Sequence, residues 1–334
     1  MKRTTLEQFA LLVLLHCVAG VGLLNAQNLK VPYVSISPTN GPLWIAKEAN
    51  LFKKHNIDAQ LIYIPGGTVI IQSMLSGEVS VANMAPPAAM AAWVRGAELA
   101  VVASGVNRLL ETVVTSTQIG SPQALKGKRI GISRYGSLTD AALREALRHY
   151  NLTPDKDVTI VQAGGEGERL AALTARAIDG AMLSGDQRFQ AEKLGFHVVI
   201  DLSKLPIEYP NNGIVVRKDF VKTNRDTVKR FLKAWVEGTK VFKTDRDTSL
   251  AVLRKYLKVK DPEILAKSYE PYRPVFERVP VAKREGFAFA LERLGKDIPE
   301  AGKMNADNFI DNSILMELDK EGFITEVYNT DKPK

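Results

Sequence analysis

One cysteine, Cys17, occurs in 334 residues, and its position near the start leaves the rest of the chain without a thiol. From residue 18 onward that excludes a disulfide framework, a cysteine nucleophile and cysteine-based zinc sites. Histidine is nearly as scarce, with His55, His149 and His197 following His16. Each of the three sits at a predicted helix end or strand edge, the usual place of a solvated histidine. HExxH, CxxC, GxSxG and Walker patterns are all missing, so the common metalloprotease, redox, hydrolase and P-loop chemistries have no residues to run on. Lys and Arg exceed Asp and Glu by 8, but they never form a run of five and do not alternate with aromatics. The basicity is diffuse and gives nucleic-acid binding no support. Past residue 24 no stretch approaches the roughly 18 apolar residues that a bilayer span needs.

The first residues follow another pattern. Lys2 and Arg3 precede an apolar run from Phe9 to Leu24, and Leu24-Asn25-Ala26 supplies a small residue ahead of Gln27. This predicts a signal peptide over 1–26, cleaved on export, with an uncleaved anchor as the alternative. His16, not a small residue, precedes Cys17, so a free soluble protein is expected rather than a lipid-anchored one. Loss of Lys2, Arg3 and Glu7 takes the formal charge from +8 to +7. What remains, at 45% apolar and 25% charged residues over the whole sequence, has the composition of a soluble globular protein large enough for two cores.

Strand and helix signals alternate from Lys30. A β-branched run reaches Ile36 and breaks at Ser37-Pro38-Thr39-Asn40-Gly41-Pro42, and a helix follows to Asn50 with Thr39 or Asn40 as candidate cap. Strands at 58–64, 79–83 and 99–105 are separated by helices starting near Thr68 and Pro86, which implies a largely parallel sheet. The order then restarts at Lys128. Ile36-Ser37 matches Ile132-Ser133 at an offset of 96, Gly66-Gly67 matches Gly164-Gly165 at 98, and Val79 to Asn83 matches Ile178 to Met182 at 99. Two similar lobes are the simplest explanation. The β-branched segments 112–117 and 211–216 are expected to join them, either as hinge strands or as further sheet strands. Beyond them the chain reads as helices, the first capped by Asn224. The expected division is lobe 1 over 27–113 and 214–334, and lobe 2 over 114–213.

Ile130 to Asp140 is a strand running through small and polar residues into an amphipathic helix. Such a corner is either an ordinary helix start capped by Ser137 or Thr139, or a site where free backbone N–H groups and the helix dipole receive an anion. The repeat supplies a counterpart at Ser37 to Leu43. Ligands of doubly wound sheets sit beyond the carboxyl ends of the strands, so both corners are expected to face one cleft. Trp44 is placed either in the core or against a ligand. Glu166 and Asp186 either recognise an amine or complement a helix dipole. Gly164-Gly165-Glu166-Gly167-Glu168 lacks the third glycine of a dinucleotide fingerprint, and no cofactor is expected.

Pro42-Leu43-Trp44-Ile45-Ala46-Lys47-Glu48-Ala49-Asn50-Leu51-Phe52-Lys53-Lys54-His55-Asn56-Ile57, with Gly66-Gly67, 75–82, 125–131 and 178–181, resembles the periplasmic solute-binding proteins of nitrate, sulfonate and taurine ABC importers. That group also contains binders of thiamine-pyrimidine precursors. The resemblance implies a two-lobe periplasmic-binding-protein clamshell (type II), two doubly wound mixed α/β sheets joined by two hinge strands. It also implies a monomer that passes a small polar or anionic solute to a permease in the inner membrane, without catalysis. A pyrimidine synthase on the same fold and a periplasmic sensor are the alternatives. The positions expected at the ligand are Thr39, Asn40, Trp44, Gly67, Thr68, Asn83, Arg134, Tyr135, Gly136, Ser137, Asp186 and Asn212.

Overall fold

The computed structural model describes residues 27–329; the expected signal segment, with Cys17, lies outside the described residues. The first half of the chain runs β1 (Gln27–Tyr33), α1 (Gly41–Glu48), α2 (Leu51–Lys54), β2 (Ile57–Tyr63), α3 (Gly67–Leu75), β3 (Val81–Met84), α4 (Pro87–Val94) and β4 (Leu99–Arg108). The second runs β5 (Thr112–Ser116), β6 (Arg129–Ile132), α5 (Leu138–His149), β7 (Thr159–Gln162), α6 (Glu166–Thr174), β8 (Gly180–Leu183), α7 (Gly185–Lys193) and β9 (Phe196–Asp201). Then β10 (Glu208–Arg217) leads into α8 (Lys218–Thr223), α9 (Arg225–Thr244), α10 (Arg246–Leu257), α11 (Pro262–Tyr269), α12 (Arg284–Leu294), α13 (Ser313–Lys320) and α14 (Phe323–Asn329).

The strands form two five-stranded sheets, ordered β2-β1-β3-β10-β4 and β7-β6-β8-β5-β9. Sheet orders and registers repeat together. Residue 27 pairs with 57 and 129 with 159, a spacing of 30 in both lobes, while 33 pairs with 83 and 130 with 180, a spacing of 50 in both. The strand ends Tyr33, Tyr63 and Met84 therefore correspond to Ile132, Gln162 and Leu183 at a constant 99. The first sequence landmark gave 96 because its strand stops at Tyr33, three residues before Ile36. Val34-Ser35-Ile36 lies past the last ladder pair and forms a loop instead.

In each sheet one strand is antiparallel to both neighbours, β10 between β3 and β4 and β5 between β8 and β9. The segments expected as hinges are thus laddered strands, and the chain passes between lobes just outside them, at 109–111 and 202–207. These crossings touch each other. Glu208 pairs with Arg108, Leu202 N–H donates to Glu111 O at 3.1 Å, and Asn211 Nδ2 donates to the Glu111 carboxylate at 3.0 and 3.2 Å.

The C-terminal helices complete the first lobe. Val228, Phe231, Leu232, Trp235 and Phe242 recur every three or four residues along α9 and are buried, and each such side chain contributes about 1.5–3 kcal/mol by leaving water. Their face meets α1, where Trp44 is fully buried, stacked on Tyr256 at 4.6 Å and edge-on to Tyr33 at 5.8 Å. A second apolar cluster is continuous from Met84, Ala88 and Trp93 to Ile132, Leu143 and Phe287, so the lobes also share core along one side. The expected caps changed hands. Asn224 occupies the start of α9 without a side-chain cap bond, whereas Asp245 accepts from Thr248 N–H and Asp261 from Glu263 and Ile264 N–H. Among the described residues no helix is long and apolar enough to cross a membrane.

The α1–α9 contact is close enough to be tested. A Cβ on Gly238 would lie 2.3 Å from Pro42 O and 3.2 Å from Ala46 N, and backbone atoms cannot swing aside. Alanine gains about 1 kcal/mol over glycine in a helix interior, but overpacking costs about 1–3 kcal/mol. Gly238→Ala is therefore expected to lower the thermal midpoint. A rise in midpoint would mean that the two helices can separate freely.

Candidate functional site

Between the lobes the loops after β1, β6 and β7 and the crossing segments enclose a cavity, part of it open to solvent. One wall is built from the first corner. Ser35, Ser37 and Thr39 line it, supported from behind by Asn40, whose Nδ2 donates to Ser35 O at 2.8 Å and whose Oδ1 accepts from Asn83 Nδ2 at 2.6 Å. Neither Asn40 nor Asn83 reaches the cavity. Asn212, on β10, does.

The opposite wall is the start of α5. Ser137 is in the cap position but makes no cap bond. Its hydroxyl lies 2.8 Å from Ser133 Oγ and 3.0 Å from Thr139 Oγ1, while Ser133 and Thr139 are 2.8 Å apart. Three hydroxyls that bond to one another in place of the helix end leave the N–H groups of its first turn without a side-chain acceptor. That combination of rotatable O–H donors and the positive end of a 12-residue helix suits an anionic or strongly polar group.

The base of the cavity carries the charge. Glu166, Arg169 and Glu111 line it and are 8%, 2% and 7% exposed. Arg169 is held by the carbonyls of Met182 at 2.7 Å and Gly164 at 2.5 Å, with Nη2 3.7 Å from Glu166 Oε1. Ser184 Oγ donates to Glu166 Oε1 at 2.5 Å. Burial pushes the Glu166 carboxyl up to about 8, against the opposing pull of Arg169 and Ser184, and burial likewise raises Glu111. Three buried polar atoms of the lining have no partner: Ser37 Oγ, Asn212 Oδ1 and Glu166 Oε2.

Of the twelve expected positions, Thr39, Ser137 and Asn212 line this cavity. Trp44 does not, because its ring is enclosed by Tyr33 and Tyr256 in the first-lobe core. Gly67 is packed at the start of α3, and its place on the lining is taken by Gly66, at φ 89°, where a Cβ would sit 2.9 Å from Arg134 Cδ. Arg134 turns away from the ligand space and donates from Nε to Pro65 O at 3.3 Å, one lobe to the other. Thr68, Tyr135 and Gly136 line a separate, more open pocket between α3, α4 and the loop before α5. Asp186 is fully buried beside the site, its Oδ2 accepting from Gln187 and Gln190, and burial raises its carboxyl to about 6.

Sequence reasoning missed Glu111, Arg169, Tyr63 and Tyr272, all on the lining. Glu166 and Arg169 stand three apart on one helix face, a spacing visible in the sequence, but it looks the same on a solvated helix. The approach of Glu111 to Asn211 spans 100 residues and has no local signal.

A family model described as NMT1/THI5 like matches residues 37–248. The taurine-binding periplasmic protein of Escherichia coli (strain K12) is 28% identical over 248 residues, 73% of this chain and 72% of that protein. Among solved structures, a Bordetella bronchiseptica RB50 protein aligns over 88% of this chain and 97% of its own, with a TM-score of 0.80 and 19% identity. The periplasmic nitrate-binding protein NrtA from Synechocystis PCC 6803 aligns over 91% of each chain, with a TM-score of 0.74 and 14% identity. With its two mixed five-stranded sheets and this match over more than half its length, the chain belongs to the NMT1/THI5-like family and has the fold of periplasmic binding proteins.

Proposed function

We propose that this protein is the substrate-binding component of an ABC importer, which captures a small polar or anionic solute between its lobes and delivers it to a membrane permease. The observation that carries this reading is the set of buried polar atoms without partners, Ser37 Oγ and Asn212 Oδ1 from the first sheet's side and Glu166 Oε2 from the second's. A buried unsatisfied group costs about 1–3 kcal/mol, and a solute bonded to both sides removes that cost only when the lobes are together. Closure and binding are then one event.

The lining supports binding over catalysis. No histidine or cysteine contributes to it, and the Ser133, Ser137 and Thr139 hydroxyls bond to one another. Relatives named for taurine and nitrate binding support a periplasmic location and a polar, anion-bearing solute. In this reading the segment 1–26 is a cleaved export signal and the mature protein acts as a monomer.

Thermal shift of the protein lacking residues 1–26, with nitrate, alkanesulfonates, aminosulfonates, carboxylates and pyrimidines, tests the proposal. A solute at 100 times its dissociation constant is expected to add about 2.7 kcal/mol of stability. Turnover of a substrate without any such stabilisation would overturn the reading.

Ser137→Ala removes one donor from the α5 wall. A hydrogen bond to a charged group contributes about 1.5–3 kcal/mol, so affinity for an anionic solute is expected to fall about tenfold or more. The free protein's midpoint should fall by less than the affinity does, because Ser137 makes no cap bond and Ser133 and Thr139 keep their bond to each other. Equal loss of both would make this corner an ordinary helix start.

A further inference from the structure

The base of the cavity specifies more than polarity. Two carboxyl groups, Glu111 and Glu166, lie beside one guanidinium, Arg169, and all three are buried. Arg169 already gives Nε and one Nη1 hydrogen to carbonyls, and Asn211 serves Glu111 through both carboxylate oxygens. Glu166 is the incomplete member. Its Oε1 is met by Ser184, while its Oε2 is buried, lines the cavity and has no partner. On the other side Asn212 Oδ1 is a second acceptor, on a residue 2% exposed, also without a donor. With Glu166 ionised, what is missing from the base is therefore N–H donors and one positive charge. A plain anion offers neither.

We propose that the solute carries an ammonium group seated against Glu166, with Asn212 as the second acceptor, while its polar or anionic end lies at the Ser133, Ser137 and Thr139 hydroxyls. This rests on the binding-protein reading above and narrows it to one class, amino-bearing small acids, and to one selecting residue, Glu166.

A consequence concerns the proton. In the free protein Glu166 is surrounded by Arg169 on its own helix, Glu111 from the crossing, Asp186 from α7, Tyr63 from β2 and Tyr272 from the C-terminal segment. Desolvation and the two neighbouring acids outweigh Arg169, and at neutral pH the carboxyl keeps its proton, ionising only near 8. An ammonium group replaces that proton: Glu166–COOH and R–NH₃⁺ become Glu166–COO⁻ paired with R–NH₃⁺, and one H⁺ leaves to solvent. Affinity is then expected to rise as pH rises toward 8, by at most about tenfold per unit for a single linked proton, and to level off above.

The test uses matched pairs, 2-aminoethanesulfonate against 2-hydroxyethanesulfonate and 3-aminopropanoate against propanoate, titrated by calorimetry into the protein lacking residues 1–26. Each is run in two buffers of different ionisation enthalpy. At least a tenfold preference for the amino member of a pair, with proton release on binding at pH 7, is expected. Glu166→Gln, which keeps the shape, should reduce that preference to within about threefold and abolish the proton release. If the variant does not fold, the wild-type pairs and proton count decide. Equal affinity for amino and amino-free members, or binding with no proton released, overturns the inference and leaves the binding reading standing. If neither these probes nor the wider solute set stabilises the protein, the binding reading falls and takes this inference with it.

Discussion

The antiparallel strand in each sheet is the constraint on which the rest depends. β3 and β4 do not pair with each other; β10, which follows the entire second lobe in sequence, lies between them and ladders to both. The first sheet is therefore incomplete until the chain has left, built the second lobe and returned. Pairings this distant in sequence are reached late, because loop closure is paid before the contact rewards it. The same route fixes the geometry of the cleft. Since β4 leads out and β10 leads back as neighbours in one sheet, the two crossings must lie side by side, and the Glu111–Asn211 bonds fall where the lobes meet. A connection of two short adjacent segments allows the lobes to rotate about one line while leaving both sheets intact, which is the geometry of a hinge.

Closing that hinge has a polar cost that apolar burial alone does not offset. The seam carries shared core on one side and ion pairs at its edges, Arg293 with Glu145 at 3.0 Å, Arg148 with Asp297 at 3.5 Å and Lys193 with Asp261 at 2.5 Å. Pairs between partly exposed side chains contribute about 0–1 kcal/mol each, and of these six side chains only Glu145 is buried. Against them stand three unsatisfied cavity atoms at about 1–3 kcal/mol each. Three such pairs return less than three unsatisfied atoms cost, so closing the free protein carries a polar penalty that a bound solute removes. A solute needs only a modest differential affinity to shift such a balance. A much stickier seam would close without a ligand, and a fully satisfied cavity would have nothing left to recognise.

The features legible in the sequence were those with local causes. Strand–helix alternation, the repeat and the small-residue corners follow from composition within a dozen residues, and they sufficed to place Thr39, Ser137 and Asn212 on the lining. Trp44 shows the limit. Its position beside a corner is compatible with either face of α1, and only the arrival of Tyr256 from more than 200 residues away decides that the ring belongs to the core. Arg134 shows another limit: an arginine at a helix start invites an anion, but its side chain extends to Pro65 O in the other lobe. Asn224, Ser137 and Asn40 were all plausible caps, and none caps: the Ser137 hydroxyl joins a cluster, Asn40 Oδ1 accepts from Asn83 Nδ2, and Asn224 gives its Nδ2 to Thr223. Short polar side chains have several partners within reach, and tertiary context chooses among them.

The repeat is accurate in backbone and unequal in chemistry, and that inequality locates recognition. Helices α3 and α6 each have nine residues and correspond at the same 99 spacing as the strands. Glu166 therefore stands where the first lobe has Gly67, and Arg169 where it has Ile70. Gly67 is buried against Met84 and Ala88, and Ile70 is fully enclosed in the core, so the first lobe's copy of this corner is apolar packing. The second lobe's copy holds a carboxyl and a guanidinium in the same backbone frame. Buried charges are expensive unless paired, and isosteric apolar residues commonly stabilise a fold as well or better. The first lobe demonstrates that this corner can be built without them. Their presence in the second lobe thus has no structural requirement behind it, and what it supplies is a charged floor opposite a neutral wall of hydroxyls and amides, to which a solute must bring its own complement.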